Sequence, residues 1–308
     1  VTSLFKESSD TQINLMLNSD EKPTFMPLPE TNELLWFSER SGWAHFYLYD
    51  LNTGKLKNPI TKGRWVVRDL VRFDAKNREI FIQTSGRVSE QDPYYRDLVR
   101  VNIDTGELNT IINSNQEIWA LTQKNFSVDL IIEFGMEFND KACAVSDSGN
   151  FSVVNCSRVD AAPATLLYDR QGNKILEVEI ADITRLPDNW NWPEPVKLLA
   201  ADGKTDIYGV VYRPSDFSPE NSYPIVDHVF NTAEYPFAAK ASFASGLLLG
   251  VPYFYAMAMA ELGFVVVQID GRGTSYRSKA FQDESYGRQW TVNNLDDHVS
   301  GIKQLAEK

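Results

Sequence analysis

Three stretches of the chain repeat one pattern, in which a strand-like run enters a glycine turn and a second strand-like run leaves it. They are FYLYDLNTGKL, DLVRVNIDTGEL and LLYDRQGNKI, with Gly54, Gly106 and Gly172 at the turns. Glycine suits such turns because it adopts positive φ without steric cost. The spacings of 52 and 66 residues predict antiparallel propeller blades, with a β-sandwich as the alternative. Three copies are fewer than the roughly 4–8 blades of a closed ring, so a partial β-propeller is predicted.

Up to about Pro187 the chain consists of short runs rich in β-branched and aromatic residues between polar breaks, which predicts strands throughout this part. Besides the repeats, the runs are ELLWFSE, VVRDLVRF, EIFIQTS, VDLIIEF, KACAVS and FSVVNCS.

From about Trp192 the pattern changes to alternating strands and helices, which predicts the start of an α/β domain. Glu194–Pro214 predicts two strands around a turn at Asp202–Gly203. Two apolar runs, Tyr223–Phe230 and Phe264–Asp270, predict buried parallel neighbours. A helix from Val251 to the stop at Gly263 should connect them, and the last helix should turn one apolar face to the core: Leu295, Val299, Ile302 and Leu305.

The composition bounds the class of protein. With 308 residues, 43% hydrophobic and 23% charged, the chain is long enough for two domains with their own cores. A net charge of −12 makes nucleic acid an unfavourable partner, because its phosphates would be repelled. No apolar run reaches the roughly 18 residues of a membrane span. The sequence shows no signal peptide, but Val1 is not a start methionine, so export stays open.

The two cysteines, Cys143 and Cys156, flank the turn SDSGN. Two buried free thiols are the simpler interpretation, and a cross-strand disulfide stays open because the strand register is not known from sequence. Two cysteines without matching histidines do not form a zinc site, and we expect neither a metal nor a cofactor.

Several segments together resemble a known family. LWFSERSGWAHFYLYDL followed by ITKGRWVV, then EQDPYYRDLVRVNIDTGE, AADGKTDIYGVVYRP and IDGRGTSYRSKAF, are similar in order to dipeptidyl peptidase IV and its relatives in the prolyl oligopeptidase family of serine peptidases. The resemblance covers essentially the whole chain. It departs at Arg158, where relatives usually have serine before the Val-Asp pair.

The resemblance implies a mixed fold, a partial β-propeller of antiparallel blades followed by the N-terminal half of an α/β-hydrolase domain. Residues 1–190 would be the C-terminal blades, and residues 191–308 the start of the hydrolase domain. No Gly-x-Ser-x-Gly occurs in the chain, so the catalytic Ser, Asp and His are expected beyond Lys308, in the order typical of α/β-hydrolases. The chain alone is then expected to be inactive.

The implied function is removal of dipeptides, of the Xaa-Pro type, from peptide N-termini through an acyl-enzyme. The implied location is the periplasm or the exterior of the cell, and a homodimer is left open. The alternatives are an acylaminoacyl peptidase or oligopeptidase of the same family, and a non-catalytic scaffold that binds partners.

The three histidines of the chain lack a serine on a strand-to-helix turn nearby. His45 is predicted to bond within a sheet, His228 to be a hydrogen-bonded core residue, and His298 to lie on a solvated or packing face. Asp296 and Asp297 point about 100° apart on a helix, which favours an interaction with the helix N-terminus over a metal site. Arg272 follows a strand end and is predicted to connect loops through charge-assisted hydrogen bonds.

One position of the oxyanion site is predicted to lie within the chain. Relatives usually carry a tyrosine just after the strand that here is IVDHVF, and its hydroxyl helps to stabilise the oxyanion. The resemblance places Phe230 there, and phenylalanine has no hydroxyl. Four interpretations stay open: Tyr235 takes over, a backbone N–H suffices, activity is weak or altered, or Phe230 is a plain core residue.

Overall fold

The computed structural model describes residues 3–15, 24–121, 143–229, 236–245, 250–288 and 294–307. The described residues form four sheets of four strands each. Sheets 1 to 3 are antiparallel and follow one another along the chain. Sheet 1 contains β1 (Phe25–Leu28), β2 (Glu33–Ser38), β3 (His45–Asp50) and β4 (Leu56–Pro59). Sheet 2 contains β5 (Val66–Asp74), β6 (Glu79–Ser85), β7 (Arg96–Asn102) and β8 (Leu108–Ile112). Sheet 3 contains β9 (Glu117–Trp119), β10 (Phe151–Arg158), β11 (Ala161–Asp169) and β12 (Lys174–Ile180).

Sheet 4 is mixed and is accompanied by helices. Its strands lie in the order β13-β14-β16-β15, and only β15 and β16 are parallel. The strands are β13 (Glu194–Leu199), β14 (Asp206–Tyr212), β15 (Ile225–Asp227) and β16 (Val265–Asp270). The α-helices of the described residues are α1 (Val251–Ala260), α2 (Lys279–Gln282) and α3 (Leu295–Ala306), and 3-10 turns lie at 29–31, 243–245 and 283–285.

Sheet 2 is packed on both faces because its side chains alternate between two hydrophobic cores. Ile80 and Ile82 of β6 are fully buried against sheet 1. Phe81 between them is fully buried against sheet 3. This period-2 alternation explains why β6 is apolar at three consecutive positions, Ile80, Phe81 and Ile82.

The glycine turns lie at equivalent points, as predicted. Gly54, Gly106 and Gly172 have φ of 67°, 72° and 88°, and each lies between the third and fourth strands of its antiparallel sheet. A Cβ on Gly106 would lie 3.2 Å from the carbonyl oxygen of Ile60, and one on Gly172 would lie 2.5 Å from that of Ile111. Each of these two turns therefore approaches the backbone of the preceding sheet, which explains why the pattern repeats.

The predicted parallel neighbours in sheet 4 are confirmed, but one of them is shorter than predicted. The run Tyr223–Phe230 forms a strand only over Ile225–Asp227, and Ile225 is 40% exposed. The strand is short and exposed because β15 lies at the edge of the described sheet, with β16 as its paired neighbour. The helix prediction is confirmed over Val251–Ala260, and Gly263 follows it with a φ of 91°.

The predicted core face of α3 is half wrong. Ile302 and Leu305 pack on sheet 4, but Leu295 and Val299 are 51% and 41% exposed. The buried positions are instead Asp297, His298 and Gly301. A Cβ on Gly301 would lie 2.8 Å from Cδ1 of Ile269, so the helix approaches the sheet closely on the side that carries glycine and two polar residues.

Cys143 and Cys156 are free thiols. Val145 pairs with Ser152 in an antiparallel bridge. That register sets Cys143 opposite Val154, two residues before Cys156, so the sulfurs are not opposed.

Of the predicted strands, KACAVS is reduced to this bridge where it is described, and VDLIIEF lies outside the described residues. Among the described residues, no helix has the length and apolar character needed to cross a bilayer.

Candidate active site at the carboxyl ends of β15 and β16

The carboxyl ends of parallel strands are where open α/β sheets bind ligands. In this chain β15 and β16 are such a pair, and their ends carry an unusual concentration of polar residues. Gln268 and Asp270 of β16 are buried, and His228 directly follows β15. These side chains hold a loop segment, residues 236–240, against the end of the sheet.

Asp270 fixes this segment through its backbone. Its Oδ1 atom accepts hydrogen bonds from the N–H groups of Phe237 (2.6 Å) and Ala238 (3.0 Å). Asp270 is 2% exposed, and burial raises the pKa of its carboxyl, against the opposing effect of the Lys240 ammonium.

Lys240 joins this site to sheet 2. Its Nζ lies 3.1 Å from Oδ2 of Asp270 and 2.9 Å from Oδ2 of Asp92, which belongs to the loop between β6 and β7. Burial alone would lower the pKa of Lys240, but the two carboxylates outweigh burial and raise it. The ammonium also lies 4.6 Å from the ring centroid of Tyr94. A largely buried ammonium, whose side chain is 11% exposed, therefore lies between two carboxylates and connects sheets 2 and 4.

Gln268 is the centre of an uncharged network. Its Oε1 accepts from the hydroxyl of Tyr212 (2.9 Å) and from the N–H of Ala239 (3.1 Å). Its Nε2 donates to the carbonyl oxygen of Pro252 (3.0 Å) and lies 3.1 Å from Nδ1 of His228. The predicted hydrogen-bonded histidine is thus confirmed at position 228, although His228 is only half-buried.

A second pair of polar contacts holds the N-terminal end of α3. Nδ1 of His298 lies 2.9 Å from the carboxylate of Asp227, and His298 is 1% exposed. Asp297 was predicted to interact with the helix N-terminus, but its main partner is Arg272, whose Nη2 donates to it over 2.8 Å. Burial would raise the pKa of Asp297, but the hydrogen bonds from Arg272 and from the N–H of Ala201 outweigh it and lower the pKa. The loop-connecting role predicted for Arg272 is confirmed.

The candidate residues do not assemble into a catalytic triad within the described part of the chain. His45 is buried in sheet 1, where its ring bonds Thr61 and Gly63 as predicted. Phe230 and Tyr235, the two candidates for the oxyanion position, lie outside the described residues. In the described ranges, no group of three His, Cys, Asp or Glu side chains is arranged to bind a metal ion.

Sequence reasoning missed Asp92, Lys240 and Gln268. Gln268 leaves a trace in the sequence, since it is the polar residue inside the apolar run FVVVQID. Lys240 stands in the otherwise small and apolar run PFAAKASFA. Neither signal identifies a partner, because the groups that they contact are distant in sequence.

Two family models match the chain in succession. The model described as "Dipeptidyl peptidase IV (DPP IV) N-terminal region" matches residues 1–163, which is more than half of the chain. The model described as "Prolyl oligopeptidase family" matches residues 253–308.

Individual relatives agree with these models. Human dipeptidyl peptidase 8 is 31% identical over 123 residues, covering 40% of this chain and 13% of the human protein. Dipeptidyl peptidase 4 of Trichophyton tonsurans is 23% identical over 275 residues, covering 88% of this chain and 31% of the fungal protein. The chain therefore spans less than a third of the length of these relatives.

Solved structures share the fold. The crystal structure of Porphyromonas gingivalis dipeptidyl peptidase 4 has a TM-score of 0.61 at 20% identity, covering 89% of this chain and 34% of that one. A Bacteroides ovatus protein assigned as a dipeptidyl aminopeptidase IV has a TM-score of 0.67 at 20% identity, covering 90% and 37%. With both family models matched in order, the chain belongs to the dipeptidyl peptidase IV-like members of the prolyl oligopeptidase family.

Proposed function

We propose that the full-length protein is a serine peptidase that removes dipeptides, of the Xaa-Pro type, from the N-termini of peptide substrates. The observation that carries this proposal is the succession of the two family matches, the dipeptidyl peptidase IV N-terminal region before the peptidase region. The reaction would proceed through an acyl-enzyme, in which a serine hydroxyl attacks the scissile carbonyl and water later releases the dipeptide.

The proposed architecture is a set of propeller blades, residues 1–190, followed by the first part of an α/β-hydrolase domain, residues 191–308. Three antiparallel four-stranded sheets packed face to face in chain order support the first part. The parallel pair β15 and β16, with α1 between them in sequence, supports the second. The nucleophile, acid and base would then be supplied by chain that follows Lys308, in agreement with the absence of Gly-x-Ser-x-Gly from the sequence.

Two further parts of the proposal follow from family membership. The protein would act in the periplasm or outside the cell, and it would form a homodimer. Cell fractionation and light scattering of the full-length protein test these two points separately from the activity.

One observation favours a second candidate, a non-catalytic scaffold that binds partner proteins. Phe230 stands where the resemblance places the tyrosine whose hydroxyl helps to stabilise the oxyanion. Loss of one such donor typically lowers kcat by about 10²–10³, so Phe230 predicts weak or absent activity unless another group supplies the hydrogen bond.

Release of p-nitroaniline from Gly-Pro-p-nitroanilide by the full-length protein tests the proposal. The expected result is turnover of this substrate and none of N-acetyl-Ala-p-nitroanilide, which an acylaminoacyl peptidase would cleave. A serine-directed fluorophosphonate should label the full-length protein at a serine outside these 308 residues and should block turnover. Full-length protein that is folded, unlabelled and inactive would favour the scaffold.

A further inference from the structure

The orientation of the Gln268 amide is fixed by its partners. Backbone N–H groups only donate and backbone carbonyl oxygens only accept. The N–H of Ala239 must therefore face Oε1, and the carbonyl of Pro252 must face Nε2. The atom of Gln268 that lies 3.1 Å from Nδ1 of His228 is then the amide nitrogen, a donor.

This orientation determines the tautomer of His228. Because Nδ1 accepts a hydrogen bond from Gln268, it carries no proton, and the proton of the neutral imidazole is on Nε2. Burial lowers the pKa of His228, against a smaller opposite effect of Asp227. The hydrogen bond from Gln268 and the lowered pKa both favour the neutral ring, which has a single N–H donor at a defined atom.

The packing of the ring also restricts the orientation of this donor. The ring of Phe237 packs edge-on against the imidazole, with the centroids 4.9 Å apart and an interplanar angle of 89°. Nε2 lies on the opposite side of the ring from Nδ1, so its N–H points away from Gln268. Within the described ranges this N–H has no hydrogen-bond partner, and His228 lies one residue beyond the end of β15.

We propose that His228 is a catalytic residue that donates a hydrogen bond from Nε2 to the oxyanion, in place of the hydroxyl that Phe230 does not provide. This inference rests on the proposed peptidase function. When the serine oxygen bonds to the carbonyl carbon, its hydroxyl proton passes to the general base of the full-length protein, and the π electron pair of the carbonyl moves onto the carbonyl oxygen. The imidazole keeps its proton throughout and stabilises that charge, as a preorganised neutral donor can.

The test is steady-state kinetics of the full-length protein with Gly-Pro-p-nitroanilide. His228→Phe keeps a ring against Phe237 and removes the donor, so kcat should fall about 10²–10³-fold while KM changes little. Adding Phe230→Tyr to His228→Phe should restore a large part of kcat, because it supplies the hydroxyl typical of relatives. His45→Gln is the matched control, since it alters a buried histidine of sheet 1 and should leave kcat unchanged.

The outcomes separate this inference from the proposed function. Inactive wild-type protein would refute both. Active wild type with an unchanged kcat in folded His228→Phe would refute the donor alone. A loss of kcat that Phe230→Tyr does not restore would also overturn the proposal and indicate a structural role.

A second measurement does not depend on turnover. The ¹⁵N chemical shifts of His228 in the wild-type protein, assigned by loss of the signals in His228→Phe, report the tautomer directly. A protonated Nε2 and an unprotonated Nδ1 are expected, and the reverse pattern would overturn the proposal.

Discussion

Two glutamines, one in sheet 2 and one in sheet 4, are fully buried on central strands and differ in how they are used. Gln83 of β6 donates to the carbonyl of Ile118 over 2.6 Å, and its Oε1 has no partner in the described part of the chain. Gln268 of β16 uses both lone pairs and both N–H groups. The side chain of Gln83, between two sheets, therefore leaves a hydrogen-bonding group unpaired, whereas every such group of Gln268, at a strand end, is paired.

The difference shows in which part of the chain the buried polar side chains are fully hydrogen-bonded. Sheet 2 is held mainly by apolar contact on both faces, so one unpaired carbonyl oxygen is tolerated there. At the carboxyl end of β16, Gln268, Asp270 and Lys240 hold the segment that approaches the candidate site. Fully paired polar groups specify one arrangement more strictly than apolar contact does. This suits the candidate site, where the proposed hydrogen-bond donor, His228, has to be held in one orientation.

The largest expected effect is that of Lys240→Met. Methionine leaves the buried carboxylate of Asp270 and the largely buried carboxylate of Asp92, which is 12% exposed, without their cation. Removal of one partner of a buried ion pair destabilises by about 3–5 kcal/mol. Urea unfolding followed by near-ultraviolet circular dichroism should show this loss.

Lys197→Met provides the matched control. Lys197 pairs with Asp206 at the surface, with the two side chains 51% and 39% exposed. Such a pair contributes about 0–1 kcal/mol. Equal losses in the two variants would contradict the account of Lys240 as a buried connection between sheets 2 and 4.

The comparison of the glutamines is tested directly by replacing each with methionine. Gln268→Met leaves the N–H of Ala239, the carbonyl of Pro252 and the hydroxyl of Tyr212 without their hydrogen-bond partner. The free energy of unfolding should therefore fall by about 3–4 kcal/mol. Gln83→Met leaves only the carbonyl of Ile118 without its partner, and it also removes the unpaired Oε1 of Gln83. The free energy of unfolding should therefore change by about 1 kcal/mol or less. Similar free energies of unfolding for the two variants would show that the number of hydrogen bonds made by the glutamine side chain does not decide how much it contributes to stability.

The sequence predicted most of the strands because their signal is local. The apolar alternation of β6 and the glycine turns at Gly54 and Gly106 depend on residues within about ten positions. The site was predictable only in part. Arg272 was assigned its role from the turn that it occupies, but the partners of Gln268 lie 16 to 56 residues away, and no local pattern encodes them.

The failed half of the α3 prediction has the same origin. Helical periodicity identified four apolar positions, but the packed face is set by the close approach at Gly301 and by the pairing of Asp297 with Arg272. A glycine and an aspartate do not register as core residues in a hydrophobic pattern. Leu295 and Val299 are consequently exposed although the pattern is amphipathic.

A third prediction concerns Glu39, near the contact between the β2–β3 loop and α2, and depends on pH. Glu39 follows β2 and is 8% exposed, and burial raises its pKa to about 7, against the opposing effect of Lys279. The folded state therefore binds this proton more tightly than the unfolded state. The stabilisation is complete below the ordinary pKa of 4.5 and is lost as the pH rises to about 7.

Glu39→Gln removes this titration, so the variant should gain about 3 kcal/mol relative to the wild type between pH 4 and pH 8. The measurement is the difference in free energy of unfolding between the two proteins across this range. Asp97, whose pKa burial raises to about 6, is present in both proteins, so its effect cancels in the difference. A difference that stays constant with pH would mean that the pKa of Glu39 is the same in the folded and unfolded states.

The smallest expected effect compares a turn of sheet 3 with a turn of sheet 4. Gly172 and Gly203 both have positive φ, of 88° and 69°, so alanine is strained at either position by about 1–2 kcal/mol. A Cβ on Gly172 would also lie 2.5 Å from the carbonyl oxygen of Ile111, whereas a Cβ on Gly203 would meet nothing within 4 Å. Gly172→Ala should therefore lose about 1 kcal/mol more than Gly203→Ala, because the backbone of sheet 2 has to move. Thermal unfolding of the two variants measures this difference. Equal losses would mean that the glycine of the repeated turn is required by backbone conformation alone, and the close approach between successive sheets would then not explain why the pattern recurs.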